Sequence, residues 1–115
     1  GQELATAAQY GGKTIVVIVN NGMLGTIRMH QEREFPIRES ATRLVNPDFV
    51  TLAQSYGYAG VRVARTEDFE AAFVAAVARS EGTVIDLIVD PETLTTRTSL
   101  SAIREAALKR QGAGA

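Results

Sequence analysis

Hydrophobic positions along the chain come in two kinds of run. Thr14 to Val19 is continuous and β-branched, and it stops abruptly at Asn20-Asn21-Gly22. Its length and branching predict a strand; continuous rather than alternating apolarity predicts one covered on both faces, as in a parallel sheet. Gly60–Ala64 and Thr83–Val89 predict two more strands. Asp86 and Asp90 are read as flanking the last of these, and Asp90-Pro91 as its stop rather than as a ligand pair. Elsewhere the apolar residues recur at helical spacing. Gln2–Tyr10 predicts a short helix with Leu4, Ala7 and Ala8 on one face, ended by Gly11-Gly12. Leu24–Arg33 is weakly helical, and Glu34–Val45 reads as an irregular loop. Asn46-Pro47-Asp48 predicts a helix start with Asn46 as cap; Phe49, Leu52, Ala53 and Tyr56 follow at helical spacing up to Gly57. Thr66 is expected to cap a further helix whose buried stripe is Phe69, Ala72, Phe73, Ala76 and Val77, ended by Gly82. A tail helix over Ser99–Arg110 carries Leu100, Ile103 and Leu108, and residues 111–115 are expected to fray.

Helices alternating with buried-looking strands predict an α/β fold, with three layers around a parallel sheet. Three strands make a small sheet for that architecture, so its edge is expected to continue into strands outside this chain. The expected division is a domain portion over residues 1–97 and an amphipathic tail helix over 98–115. Opening on Gly1 and then directly on a helix suggests a piece of something longer.

Composition narrows the chemistry. The 115 residues are 45% apolar and 22% charged, in the range of a globular domain. Twelve basic against 13 acidic residues leave a net charge of −1, which gives nucleic-acid binding little electrostatic support. There is no cysteine and one histidine, so thiolate chemistry and a histidine-cluster metal site are excluded within the sequence. No apolar run is long enough to cross a bilayer, and a cytoplasmic location is the default expectation.

The double asparagine is the chemical feature of greatest interest. Asn-Gly is a strong hairpin signal, so Asn21-Gly22 could simply return the chain to a second strand from Leu24 onward. Alternatively, ligands of parallel sheets sit beyond the carboxyl ends of strands, where these two amides would stand. Amide and carbonyl oxygens are hard, neutral donors suited to magnesium, and Gly22 and Gly25 would let the backbone approach a phosphate closely. Without a carboxylate such a set is incomplete.

The stretches GQELATA and NNGMLGTIR, continued by Asn46-Pro47-Asp48-Phe49, the Ala53–Gly57 helix end and Thr83–Pro91, closely resemble thiamine diphosphate-dependent enzymes of the acetolactate synthase type. The resemblance lies in their C-terminal, pyrophosphate-binding domain. It implies that Asn21 donates its side chain to magnesium and Met23 its backbone carbonyl, while Leu24 and Gly25 lie in the turn against the diphosphate. Asn20 would shape the turn. The family's motif opens on Gly-Asp-Gly, expected just upstream of Gly1, and its cofactor-activating glutamate sits on another domain. The implied partner is therefore the pyrimidine-binding domain of another subunit in a homo-oligomer. The implied reaction is decarboxylation of a 2-keto acid, or carbon–carbon bond formation from one, with no catalytic residue assigned in this chain. The isolated chain is expected to be inactive and to bind cofactor weakly. A non-catalytic α/β binding or regulatory domain of the same fold is the alternative.

His30 stands where acetohydroxyacid synthases typically carry a tryptophan lining the acceptor pocket. It is read either as a surface residue or as a substrate-side one. Arg28 to Glu39 carries mixed charge and is read as a solvated segment or as a loop closing over the cofactor. Glu3 is expected to have a structural role.

Overall fold

The computed structural model describes residues 1–113. The elements in chain order are α1 (Glu3–Gln9), β1 (Ile15–Asn20), α2 (Gly25–Glu34), α3 (Phe49–Ser55), β2 (Ala59–Val63), α4 (Thr66–Ala78), β3 (Thr83–Ile88) and α5 (Leu100–Ala113). They divide into two compact units. One comprises Gly1–Asn20 and Asn46–Ile88; the other comprises Asn21–Val45 and the segment from Val89 onward.

The first unit is the expected three-layer α/β arrangement. Its sheet has the order β1-β3-β2, all parallel. In register, Val84 lies between Val16 and Gly60, and Thr83 lies between Ile15 and Ala59. Successive residues of a strand face opposite ways, so β3 supplies both faces of the sheet. Val84 packs with Ala53 of α3 and Tyr58, joined by Leu4 and Ala7 of α1 and by Val16 and Ile18. Ile85, one residue on, packs with Val63 and with Ala76 of α4, joined by Phe69 and Ala72.

The glycine under α3 explains how closely that helix sits. A Cβ on Gly60 would fall 2.6 Å from the Val50 carbonyl oxygen and 2.8 Å from its Cα, so any side chain there would push the helix off the sheet.

Several local expectations are corrected. β1 is not covered on both faces: it is an edge strand, α4 packs on β2 and β3, and Val17 and Val19 are exposed. The strand is not half of a hairpin, since β1 pairs in parallel with β3 and the residues after the Asn-Gly turn form α2. Asn46 does not cap α3. Asp48 does, its Oδ1 accepting from the Thr51 N–H at 2.9 Å. Thr66 is the first residue of α4 rather than its cap, and that helix ends at Ala78, before Gly82. Of its expected stripe, Phe73 and Val77 are exposed.

The second unit is held by helix pairing and by charge. α2 packs along α5. Ser99 caps α5, its Oγ accepting from the Ala102 N–H at 3.1 Å. The helix runs on through Ala113, so residues 111–113 do not fray, and residues 114 and 115 lie outside the described residues. Far along α5, Arg110 Nη2 donates to the Arg33 carbonyl and Gln111 Nε2 to the Glu34 carbonyl, each at 3.3 Å. These are C-terminal carbonyls of α2, which lack partners within their own helix.

Candidate functional site

In the second unit the site begins with a turn. Gly22 has φ +67°, a conformation glycine adopts at no steric cost. The side-chain oxygen of Asn21 accepts from the Met23 N–H at 3.1 Å, closing a local Asx turn. The turn is held from outside by residues 42–44. Leu24 N–H donates to the Thr42 carbonyl at 2.8 Å, Leu44 N–H donates to the Gly22 carbonyl at 2.9 Å, and Met23 and Arg43 form an isolated antiparallel bridge. α2 then opens at Gly25. A Cβ there would sit 2.7 Å from Asn21 Nδ2 and 3.0 Å from Leu94 Cδ2. The missing side chain thus leaves the Asn21 amide its room.

This set fits a hard cation in kind and falls short in number. Asn21 Oδ1 uses one lone pair on Met23 and keeps another, and backbone carbonyls are available in the same turn. Among the described residues no group of three His, Cys, Asp or Glu side chains could hold a metal. Any octahedral ion here would take most of its ligands from phosphate oxygens, water or other protein segments.

Beside the turn lies a cavity of about 310 Å³ whose lining includes Asn21, Met23, Arg28, Glu39, Glu92 and Arg104. Its walls are built from the charged run that reads as solvated in the sequence. That reading is corrected: Arg28 and Glu32 are buried. Glu32 Oε1 accepts from Arg28 Nη2 and from Arg104 Nη2, the latter at 2.8 Å, and its Oε2 accepts from the Ile37 N–H at 3.0 Å. The Arg104 hydrogen bond leads in holding the Glu32 carboxyl below the usual range, against the opposing effect of burial. Arg28 Nη1 also lies 2.7 Å from Glu39 Oε2. Glu39 accepts from Thr42 Oγ1 at 2.9 Å, and that bond is the main cause of its lowered pKa. Gln31 fastens the same loop through Ser40, donating to its carbonyl at 2.7 Å and accepting from its N–H at 3.1 Å. The loop from Phe35 to Val45 is therefore tied to α2 at several points. His30 is exposed on α2, and Leu24 is 40% exposed at its start.

In the first unit, the carboxyl end of the sheet carries a polar chain that the sequence reading did not assemble. Asp86 lies within β3, not beside it, and is 1% exposed. Its Oδ1 accepts from Asn20 Nδ2 and its Oδ2 from Arg62 Nε, both at 3.0 Å. Arg62 Nη2 lies 3.2 Å from Asp48 Oδ2. At the other end, Asn46 Nδ2 donates to Asn20 Oδ1 at 2.9 Å. The signal was present in the sequence as a lone aspartate inside the apolar run TVIDLIV. A cavity of about 400 Å³ in the same unit, walled chiefly by apolar side chains of α1, β1 and α3, offers no comparable chemistry.

Comparisons with known proteins agree with these features. Residues 1–87 match the family described as "Thiamine pyrophosphate enzyme, C-terminal TPP binding domain". The acetolactate synthase large subunit of Haemophilus influenzae is 34% identical over 91 residues, covering 77% of this chain and 16% of its own length. That of Parasynechococcus marenigrum is 41% identical over 90 residues, covering 76% and 15%. Among solved structures, the thiamine diphosphate-dependent 4-hydroxybenzoylformate decarboxylase of Rhodococcus jostii RHA1 superposes with a TM-score of 0.68 at 34% identity, over 76% of this chain and 16% of that one. The chain thus spans about 15–16% of the length of these relatives. A parallel three-stranded sheet, an Asn-Asn-Gly turn after its first strand and these similarities lead to one conclusion: the chain belongs to the C-terminal thiamine pyrophosphate-binding domain family of thiamine pyrophosphate enzymes.

Proposed function

We propose that this chain is the magnesium- and diphosphate-holding portion of a larger enzyme acting on a 2-keto acid. Residues 1–97 belong to the binding domain in this reading, and 98–115 form its tail helix. The observation that carries the proposal is the Asn21 turn, in which a side-chain oxygen is preset by the Met23 N–H and Gly25 leaves the amide its space. Asn21 Oδ1 and the Met23 carbonyl would hold Mg2+, and Leu24 and Gly25 would line the diphosphate. Thiamine diphosphate, when bound, supplies the carbanion and electron sink for the reaction. The residues here contribute binding and orientation. Charge on a diphosphate–magnesium pair is fixed in place by neutral oxygen donors that need no deprotonation.

The reaction class is either acyl transfer to a second keto acid or decarboxylation, since the named relatives include both acetolactate synthases and a decarboxylase. His30 stands on the substrate side in this reading, and its exposure leaves it accessible to a ligand. The partner is a pyrimidine-binding domain of the same enzyme in another subunit of a cytoplasmic homo-oligomer. The test is Mg2+ titration into the full-length apo-enzyme with saturating thiamine diphosphate. Asn21→Ala is expected to weaken Mg2+ by at least about tenfold. Unchanged affinity would remove Asn21 from the site.

A further inference from the structure

The run Ile15–Val19 has an unusual weakness for a strand that must deliver a ligand at its end. It is apolar at every position, so its hydrophobic pattern does not specify a register. Sliding it one residue along β3 would exchange one valine or isoleucine for another on each face. Among the described strands β1 has one neighbour, β3. Yet a slip of one residue would exchange the two asparagines, which are chemically identical. One of them is to face magnesium and the other is not.

The polar chain of the first unit distinguishes them. In register, Ile18 lies beside Asp86 and Asn20 beside Ile88. Asn20 is two residues beyond Ile18 and shares its face, so its amide reaches diagonally back to Asp86. Asp86 itself cannot drift, because its other oxygen holds Arg62 on β2. Asn46 takes the remaining end of the Asn20 amide. With Asn20 held as the last residue of β1, Asn21 is the first residue of the turn, where its Oδ1 accepts from the Met23 N–H.

We infer that Asp86, acting through Asn20, locks the register of β1 and so selects Asn21 as the magnesium ligand. Asp86 and Asn20 are then positioning residues for the cofactor's metal, a role that the sequence motif does not separate from ligation. This use of a buried polar pair has a known counterpart in coiled coils, where a single buried asparagine fixes register. The inference rests on the proposed role of Asn21.

The experiment is Mg2+ titration by calorimetry into the full-length apo-enzyme with saturating thiamine diphosphate, beside the melting temperature of the apo-enzyme. Asn20→Val removes the lock while keeping a good strand former. Magnesium affinity is expected to fall by about 10- to 100-fold, alongside a lower apo melting temperature from the hydrogen bond that Asp86 loses. Wild-type affinity in Asn20→Val overturns the inference, as does a lower melting temperature with affinity intact, which marks a purely structural pair. Should Asn20→Val fail to fold, Asp86→Asn keeps the size of the side chain but cannot accept from Asn20 and Arg62 together. The same fall in its affinity supports the lock, and wild-type affinity overturns it. Asn21→Ala serves as the reference. If it too binds Mg2+ normally, the site assignment has failed; if it alone loses affinity, only the register lock has.

Discussion

Replacing Glu32 by glutamine should loosen α5 from α2. The carboxylate is 1% exposed and accepts from Arg28, Arg104 and the Ile37 N–H. An amide has one accepting oxygen where the carboxylate has two. If that oxygen faces the arginines, the NH2 group meets the Ile37 N–H; turned the other way, it meets a guanidinium. Each arrangement leaves a donor against a donor in a buried site. Breaking one partner of a buried ion pair costs about 3–5 kcal/mol. Here the loss is smaller, because Arg104 keeps 30% of its side-chain surface in solvent and Arg28 keeps Glu39 at 2.7 Å. A cost of about 2–3 kcal/mol corresponds to a rise of about 30- to 140-fold in the opening equilibrium. Amide hydrogen exchange reads this directly, and protection over Leu100–Ala113 should fall by that factor with the sheet amides unchanged. Protection within twofold of wild type would refute the reasoning. So would an equal loss in β1, β2 and β3, which would signal global destabilisation instead.

The same carboxylate sets a pH response. Its pKa is lowered by the arginines, so the stability it confers is complete above its ordinary value of 4.5 and is lost as pH falls through the folded-state value below that. Proteolytic cleavage within residues 99–113 should therefore stay constant from pH 8 to about pH 5 and rise at lower pH; a rise between pH 8 and 6 would contradict the assignment. Gly25→Ala would put a methyl group 2.7 Å from Asn21 Nδ2, so Mg2+ affinity in saturating cofactor should drop by roughly the same factor as for Asn21→Ala. Normal affinity would show that the Asn21 amide is not confined where the structure puts it.

Much of the fold could be read from the sequence because its signals are local. The β-branched runs and the strand-ending asparagines and Asp90-Pro91 are contained within a few residues. The failures at the candidate sites involved distant partners. Asn46 and Asp48 are both competent caps, and local rules prefer the first; in the structure Asp48 caps α3, while Asn46 donates to Asn20, 26 positions away. The Arg28–Glu32 spacing suggests an exposed helical pair, but Arg104, 72 positions from Glu32, turns it into a buried triad. Asp86 read as a strand boundary because a charge normally ends an apolar run, and only Asn20 and Arg62 make it tolerable at the centre of a sheet. The candidate turn was legible as a motif, whereas its confinement by residues 42–44 and Leu94 was not, since those contacts depend on how the loops fold back.

The side chains of Arg110 and Gln111 on the last carbonyls of α2 give that helix a polarity of failure. Its far end is finished by another helix, while its near end is secured by Gly22, Leu24 and their bonds to residues 42–44. Losing α5 would unwind α2 from Glu34 backward, toward the Asn21 turn. Damage to the tail would then register first as a shortened helix, and only several residues later as a disturbed ligand.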